Sequence, residues 1–397
     1  MSNAYIVSAA RTPIGRFGGG LSQLSPVELG AHAMKAALKR AGVPADQIDF
    51  YIYGNVLSGG QGQLIPRQAA LKAGVPAEID GYHVNMVCSS GMLAAMNADT
   101  HIRAGDGDLI LVGGTESMST AGFYLTSRAR WGYKYLGGQN EPLIDLLAYD
   151  GLTDPTTGEM MGTQTDRLAA EYGVTREEVD EVSVASHLRA AAATENGALT
   201  AEIEPIEVRA RKGSQTIAAD EGIRPDSSME SLARLRPAFT DDGIITAGNA
   251  SQISDGSAAM LIASEAAVKA HGLKPIAKIL GSAWSAGESW RFAEAPAPAV
   301  EKVLAKTGLA KDDVALWENN EAFAVSTVLF ERQLGIDRAK INVHGGAVAL
   351  GHPIGATGAR IMVTLLGALA ARNETIGVAA LCHGTGGSTA IALERLG

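Results

Sequence analysis

Short runs of β-branched, aromatic and leucine residues alternate along this chain with longer alanine-rich stretches, and the alternation predicts an α/β fold whose strands are largely buried. In the first third the order is YIVSA as a strand, residues 27–41 as a helix, FYIYG and HVNMV as strands, residues 92–103 as a helix and LILVGG as a strand. A similar order returns late in the chain: a strand at 276–280, a helix at 299–307, ALWEN, a helix at 321–334, INV, a helix at 356–371 and VAALC. In both series a turn rich in small residues precedes a helix and then a strand: NMVCSSGM in the first, NVHGGAVALGHPIGATG in the second. This reads as an internal duplication of about 120 residues. The first half is expected over 1–120, completed by about 243–270, and the second over 271–397.

Residues 121–242 break the pattern with abundant Gly, Pro, Thr and charge, and read as an inserted loop domain. One strong helix is expected inside it. Thr175 and Glu178 make a capping box, the stretch 185–193 continues the helix, and Gly197 is a plausible stop. An excursion between two α/β halves commonly covers a site.

Composition narrows the function classes. With 46% hydrophobic and 19% charged residues the chain buries a large core without staples. Its formal net charge of −10 opposes nucleic-acid binding, which calls for a basic face. The apolar run 361–371 has about half the residues of a membrane span, and MSNAYIVSAARTP lacks the marks of an export signal, so a non-membrane, cytoplasmic protein is expected. Arg209, Arg211 and Lys212 form a short basic cluster, and Arg224 follows in ADEGIR; pattern alone reads all four as solvated loop charges.

Only two cysteines occur, each where an apolar run meets glycine and serine. Cys88 falls at a strand-to-helix turn, where unpaired N–H groups and the helix dipole favour thiolate and can hold an oxyanion. Residue type alone fits a buried structural cysteine as well as a nucleophile, and the turn favours the nucleophile. His352, in GHPIGATG, could accept a thiol proton, although a lone histidine is more often structural. Cys382 should end a strand at the sheet edge where ligands gather; His383 beside it could act as a second base, but successive strand residues point to opposite faces, so one of the pair is expected to face away from the site. No ligand pair has the local spacing of a metal site, and no glycine-rich phosphate loop occurs, so no metal is expected and a nucleotide-triphosphate enzyme is disfavoured.

The chain resembles the thiolase family over essentially its whole length. The resemblance rests on YIVSAARTPIGRFGG, NMVCSSGM, ADEGIR with LRPAF, TAGNASQISDGSAA, NEAFA, NVHGGAVALGHPIGATGAR and the final cysteine turn, in family order. It implies a five-layer αβαβα fold from two similar halves with a loop domain over the site. It also implies acyl transfer between acyl-CoA thioesters, in particular condensation of two acetyl-CoA, with no cofactor beyond the CoA substrates. Cys88 would be the acylated nucleophile, His352 its base and Cys382 the acid/base that moves the α-proton. Asn320 would hold a water that joins His352 in one oxyanion hole, and the N–H groups of Cys88 and Gly384 would form the other. Asn320 is also well placed as a helix N-cap. Coenzyme A would meet Ser251 along its pantetheine arm and Arg224 near its nucleotide, passing Met161, Phe239 and Phe323. WGYKYLGG resembles the segment through which family dimers pair, which implies a homotetramer.

Three departures stand out. The chain reads Met160-Met161 where short-chain biosynthetic relatives usually have histidine before methionine, Phe292 falls where they tend to have methionine, and CHGTGG replaces CxGGGxG. A thiolase acting on longer 3-ketoacyl chains is the alternative activity. A decarboxylating ketosynthase would need a second histidine at Asn320, a cysteine hydrolase would have no use for Cys382, and a non-catalytic relative would lack one of these residues.

Overall fold

The computed structural model describes residues 2–133, 141–209 and 213–397. Its main sheet takes β1 (Ala4–Arg11), β2 (Phe50–Gly54), β3 (Gly81–Val84), β4 (Leu109–Ser117) and β5 (Ser254–Ser264) from one half of the fold. From the other come β6 (Ala277–Ala286), β7 (Leu316–Asn319), β8 (Ile376–His383) and β9 (Gly387–Arg395). The strand order is β7-β8-β9-β6-β1-β5-β4-β2-β3, with the two-residue strand Gly15–Arg16 beside β5.

Outward from the centre the two halves match. β1 pairs antiparallel with β5, β5 antiparallel with β4, and β4 and β3 both run parallel to β2. β6 pairs antiparallel with β9, β9 antiparallel with β8, and β8 parallel with β7. Only two residue pairs, Tyr5↔Lys278 and Ile6↔Ala277, join the halves at β1 and β6. The run INV, read as a strand, is instead a single parallel bridge, Trp317↔Ile341. Asn342 explains the loss: its φ of 47° turns the chain out of extended geometry. Its side-chain oxygen accepts the Asn319 N–H at 2.9 Å, so the turn is fixed to the end of β7.

The helices are α1 (Pro26–Ala41), α2 (Ile65–Ala73), α3 (Ser90–Ala104), α4 (Met161–Glu171), α5 (Arg176–Glu195), α6 (Pro296–Thr307), α7 (Ala324–Leu334) and α8 (Ile354–Arg372), besides shorter ones. Strand side chains alternate between faces, and the core divides accordingly. Val7, Tyr51, Tyr53, Leu109, Leu111, Ala259 and Leu261 pack under α1 and α2. Trp317, Val378, Ala380, Ala390 and Ala392 pack under α6 and the end of α7. The opposite faces of both halves, Ile6, Ile52, Ile110, Val112, Met260, Ile279, Leu381, Ile391 and Leu393 among them, close on α3 and α8. Helix, sheet, helix, sheet, helix is the resulting five-layer order. Helix α8 is long and apolar enough to cross a membrane, with a mean hydropathy of 1.6 over 18 residues, but 83% of that stretch is buried in this central layer.

Two glycines set the distance between α3 and α8. A Cβ at Gly358 would lie 2.3 Å from the Met92 nitrogen, and one at Gly91 would lie 2.7 Å from the Ala359 nitrogen. The helices therefore touch backbone to backbone, within the first turn of α3 and about one turn beyond the start of α8. What immediately precedes them in sequence, Cys88 and His352, is thereby brought to one place.

The excursion between β4 and β5 carries α5, whose Thr175–Glu178 capping box forms as expected, with the helix ending one residue before Gly197, at Asn196 as C-cap. Buried Arg11 on β1 ties the excursion down, with Nε 2.6 Å from Glu202 and Nη1 2.7 Å from Asp220. Burial disfavours the guanidinium charge, but the two carboxylates outweigh it.

Replacing Gly358 with Ala tests the helix contact. Alanine should gain under about 1 kcal/mol of helix propensity, whereas the backbone clash costs about 1–3 kcal/mol, so net destabilisation is expected. Urea unfolding of Gly358→Ala should show a lower midpoint together with loss of activity; a midpoint at or above that of the parent would contradict the contact.

Candidate active site

Strand β3 ends at Val84, three residues earlier than the HVNMV run suggested, and residues 85–89 form a tight turn into α3. Val87 stands at φ 48°, a conformation a β-branched residue rarely adopts. Ser90 holds this strained turn: its hydroxyl donates to the Val87 carbonyl at 2.6 Å and accepts the Met86 N–H at 2.9 Å. Cys88 follows directly, 4% exposed, with its own N–H and that of Gly384 aimed at its sulfur.

The second turn brings a base to it. His352 Nε2 lies 3.3 Å from Cys88 Sγ, although 264 residues separate the two. His352 Nδ1 lies 2.6 Å from Thr357 Oγ1, and that hydroxyl donates its own proton to the Pro353 carbonyl at 2.9 Å. With its hydrogen committed, Thr357 oxygen can only accept, so the proton of the imidazole sits on Nδ1 and the lone pair of Nε2 faces the thiol. The His352 N–H is held by the Gln252 carbonyl and Ser254 Oγ, at 3.1 and 3.3 Å. Glu116, wholly buried on β4, accepts from Gly355 N at 2.8 Å, Asn55 Nδ2 at 2.7 Å, Val56 N at 3.0 Å and Leu57 N at 3.1 Å. One carboxylate from the first half thus fixes the histidine turn of the second. Thr357 and Ser254 lie within the GHPIGATG and TAGNASQISDGSAA motifs but carry no role of their own in the sequence reading, and Glu116 is not singled out there; the capacity of Thr357 to accept five residues after the histidine was the available clue.

Asn320 N–H donates to the Ala380 carbonyl, and its Nδ2 lies 3.3 Å from His352 Nε2. It does not cap the following helix, because α7 begins at Ala324 with Phe323 as its N-cap residue. Its side chain is free for the site. Cys382, at the end of β8 and fully buried, packs in the cluster that contains Met161 and Phe292. A Cβ at Gly384 would come no closer than 3.6 Å to Val87 and 3.8 Å to Met161, so this residue faces the same space.

Beside it lies a cavity of about 220 Å³ lined by Cys88, His352, Met161, Phe239, Ser251 and Phe323, with Leu152, Met160, Ile253 and Ile354 among the remainder; Asn320, Cys382 and Gly384 are not part of its wall. The Phe323 ring meets Phe239 and Phe292 edge to face, each at 6.2 Å. Phe292 is completely buried behind Phe323 and does not line the cavity. Phe239 lies over Gly162, where a Cβ would be 2.3 Å from the ring. Arg224 stands apart from the cavity, exposed, with its backbone N–H on His187 Nδ1 at 3.1 Å. Two residues before it, the Gly222 carbonyl accepts from Gln252, the neighbour of Ser251. Among the described residues no group of three His, Cys, Asp or Glu could hold a metal ion.

Burial rules the electrostatics. It pushes the Cys88 thiol up to about 12, with Glu116 adding to the effect and the Gly384 and Cys88 N–H groups opposing it. It pushes His352 down to about 3, with Arg360 contributing. Cys382 is raised far above the ordinary thiol value, again by burial and then by Cys88. The expected preference for thiolate at the helix start is therefore reversed: desolvation exceeds the pull of the N–H groups, and the resting pair is thiol and neutral imidazole.

Residues 4–266 match the thiolase N-terminal domain and residues 273–395 the thiolase C-terminal domain. An acetyl-CoA acetyltransferase of Synechocystis is 62% identical over the full length of both chains, and one of Escherichia coli is 46% identical over the same span. The crystal structure of the Bacillus anthracis acetyl-CoA acetyltransferase superposes with a TM-score of 0.96 at 40% identity, covering 100% of this chain and 99% of that one. A thiolase from Ascaris suum in complex with coenzyme A does so with 0.92 at 39%, covering 99% and 100%.

Two outcomes follow from this geometry. Acylation of Cys88 should be flat between about pH 5 and 9, because His352 loses its lone pair only as the pH falls toward about 3. An acid limb near the ordinary histidine value of 6.5 in the pre-steady-state rate would contradict the buried neutral pair. Gly384→Ala should fold with an unchanged melting temperature, since no neighbour lies within 3.4 Å of the added methyl, yet lose activity by about 10-fold or more as the methyl occupies the space between Val87 and Met161 beside Cys88. Full activity in that variant would remove Gly384 from the site.

Proposed function

The chain belongs to the thiolase family of acyltransferases, and from that premise we propose that it is an acetyl-CoA C-acetyltransferase, joining two acetyl-CoA into acetoacetyl-CoA and CoA or running the thiolysis in reverse. The observation that carries this reading is the Cys88–His352 contact of 3.3 Å with the tautomer fixed by Thr357. As Cys88 sulfur attacks the thioester carbonyl, its proton passes to His352 Nε2, and the N–H groups of Cys88 and Gly384 receive the oxyanion. The tetrahedral intermediate collapses, the bond to the CoA sulfur breaks, and Cys382 protonates that sulfur. The acetyl group now sits on Cys88, with a thiolate at Cys382 and an imidazolium at His352.

That internal ion pair performs the second half. Cys382 thiolate takes the α-proton of the next acetyl-CoA, whose enolate oxygen lies toward His352 and the Asn320-held water. The carbanion attacks the acetyl-cysteine carbonyl, the carbon–carbon bond forms, and Cys88 leaves and recovers its proton from His352. Burial suits this cycle: neutral groups at rest make charge only when an acyl partner fills the cavity. Ser251 on the cavity wall would meet the pantetheine arm, with Arg224, outside the cavity on the segment bonded to Gln252, near the nucleotide end.

A cavity of about 220 Å³ backed by Phe323 and the buried Phe292 favours a short acyl group over longer 3-ketoacyl chains. In thiolysis, kcat/KM should be highest for acetoacetyl-CoA and fall with chain length; a rise with chain length would replace the substrate and leave the mechanism. Incubation with acetyl-CoA followed by intact mass should add one acetyl group, absent in Cys88→Ala. Cys382→Ala should acquire the acetyl group more slowly and yield no acetoacetyl-CoA. A wild-type chain that never acquires the group would overturn the reading.

No metal or organic cofactor is required in this scheme, so chelation should leave the rate unchanged. We also read the protein as a cytoplasmic homotetramer, a dimer of dimers. Both cysteines are free, which suits a reducing compartment. The exposed apolar side chains of Phe123, Leu125 and Leu143 flank the segment expected to pair dimers, and exposed Trp131 begins it; its residues 134–138 lie outside the described residues. Light scattering giving a monomer at micromolar concentration would contradict the assembly.

A further inference from the structure

The end of β8 and the turn that follows it read CHGTGG, and His383 and Thr385 both reach back to one atom. His383 Nδ1 lies 2.7 Å from the Gly384 carbonyl oxygen, and the Thr385 hydroxyl donates to the same oxygen. A carbonyl can only accept, so the His383 proton is on Nδ1, and Nε2 is left with a lone pair. That nitrogen is buried without a partner. The ring lies against Gly387, its opposite number across β8 and β9, where a Cβ would be 2.1 Å from Nε2.

The same turn is under strain. Thr385 stands at φ 69° and Gly386 at 80°. A β-branched residue rarely occupies that region unless its surroundings over-determine it. Here they do: Gly386 has no room for a side chain, with the Glu288 carbonyl 2.4 Å from an ideal Cβ, and its own carbonyl accepts the Gly287 N–H at 2.9 Å. Between the strained threonine and the buried histidine lies Gly384, whose N–H points at Cys88 sulfur. With no side chain to restrain its φ and ψ, a glycine cannot hold that direction by itself.

We propose that His383 and Thr385 are positioning residues which clamp the Gly384 carbonyl and thereby keep the Gly384 N–H trained on the acyl oxyanion at Cys88. The clamp deepens the acyltransferase reading and rests on it. It orders, by two side-chain hydrogen bonds, a turn whose other residues are Gly384, Gly386 and Gly387. It acts in acylation and its reversal, because there the developing charge needs the donor, and not in the grip on coenzyme A.

The test compares His383→Leu, Thr385→Val, Thr385→Gly and Thr385→Ser in the intact protein, following acetylation of Cys88 by acetyl-CoA in rapid-quench mass spectrometry. Losing an oxyanion donor outright costs about 100- to 1000-fold, so a donor left present but free to swing should cost about 10- to 100-fold in the saturating acylation rate, with the half-saturating acetyl-CoA concentration within about 2-fold. Thr385→Val keeps the shape and loses the donor, and should fall in that range. Thr385→Ser restores the hydroxyl and should return to within about 3-fold of wild type. Thr385→Gly removes both strain and hydroxyl; it should melt no lower than wild type and still acylate slowly, which separates the clamp from mere structural support. Wild-type acylation rates in both Thr385→Val and Thr385→Gly would overturn the proposal, whether or not His383→Leu folds. Losses confined to the half-saturating concentration or to melting temperature would overturn it too. Absence of any acetyl adduct on the wild-type chain is a separate result, which removes the acyltransferase reading and the clamp with it.

Discussion

The backbone contact between α3 and α8 at Gly91 and Gly358 is the constraint on which the site depends. Each helix is preceded by a turn that carries one reacting group, and each turn belongs to a different half of a quasi-symmetric fold. A side chain at either glycine would meet a main-chain nitrogen, at 2.7 or 2.3 Å, and drive the helices apart. The distance at stake is 3.3 Å between sulfur and nitrogen, and a shift of one ångström there exceeds the tolerance of a proton transfer. The central layer is therefore the frame of the chemistry as well as the hydrophobic core.

Burial at that frame has two effects that pull in opposite directions. It raises both thiols and lowers the histidine, which makes every charged form of the resting site costly. It also strengthens each fixed hydrogen bond that meets charge when charge appears. The network around the pair is built for the second effect. Thr357 fixes one nitrogen of His352, Glu116 fixes the turn that carries it, Ser90 fixes the strained turn before Cys88, and Gly384 presents its N–H to the sulfur. Arg11, paired with Glu202 and Asp220, anchors the excursion that supplies Met161, Phe239 and Ser251 to the cavity.

Much of this was legible in the sequence because local pattern and global fold agree. The FYIYG run is the strand Phe50–Gly54, the capping box at Thr175 starts α5, and the repeat order of strands and helices became the matching halves of the sheet. The meeting of Cys88 and His352 followed from motif order and is found as a contact. What escaped the sequence depends on neighbours distant along the chain. The INV run has strand composition, but the left-handed Asn342 and its bond to Asn319 reduce it to one bridge. The thiolate expected at a helix start gives way to desolvation, which no local pattern reports. Asn320 looked like a helix cap until α7 was seen to begin four residues later, and Glu116 gave no sign that it binds a turn 239 residues away.

The central claim is that two steps with different proton movers share one buried site through an acyl-cysteine. Isotope exchange between acetyl-CoA and labelled free CoA measures the first step alone, with no carbon–carbon bond formed. The account predicts exchange in the wild-type protein, abolished in Cys88→Ala, with parallel initial-rate lines when CoA and acetoacetyl-CoA are varied in thiolysis. Acetoacetyl-CoA turnover without exchange, or with intersecting lines, would contradict it.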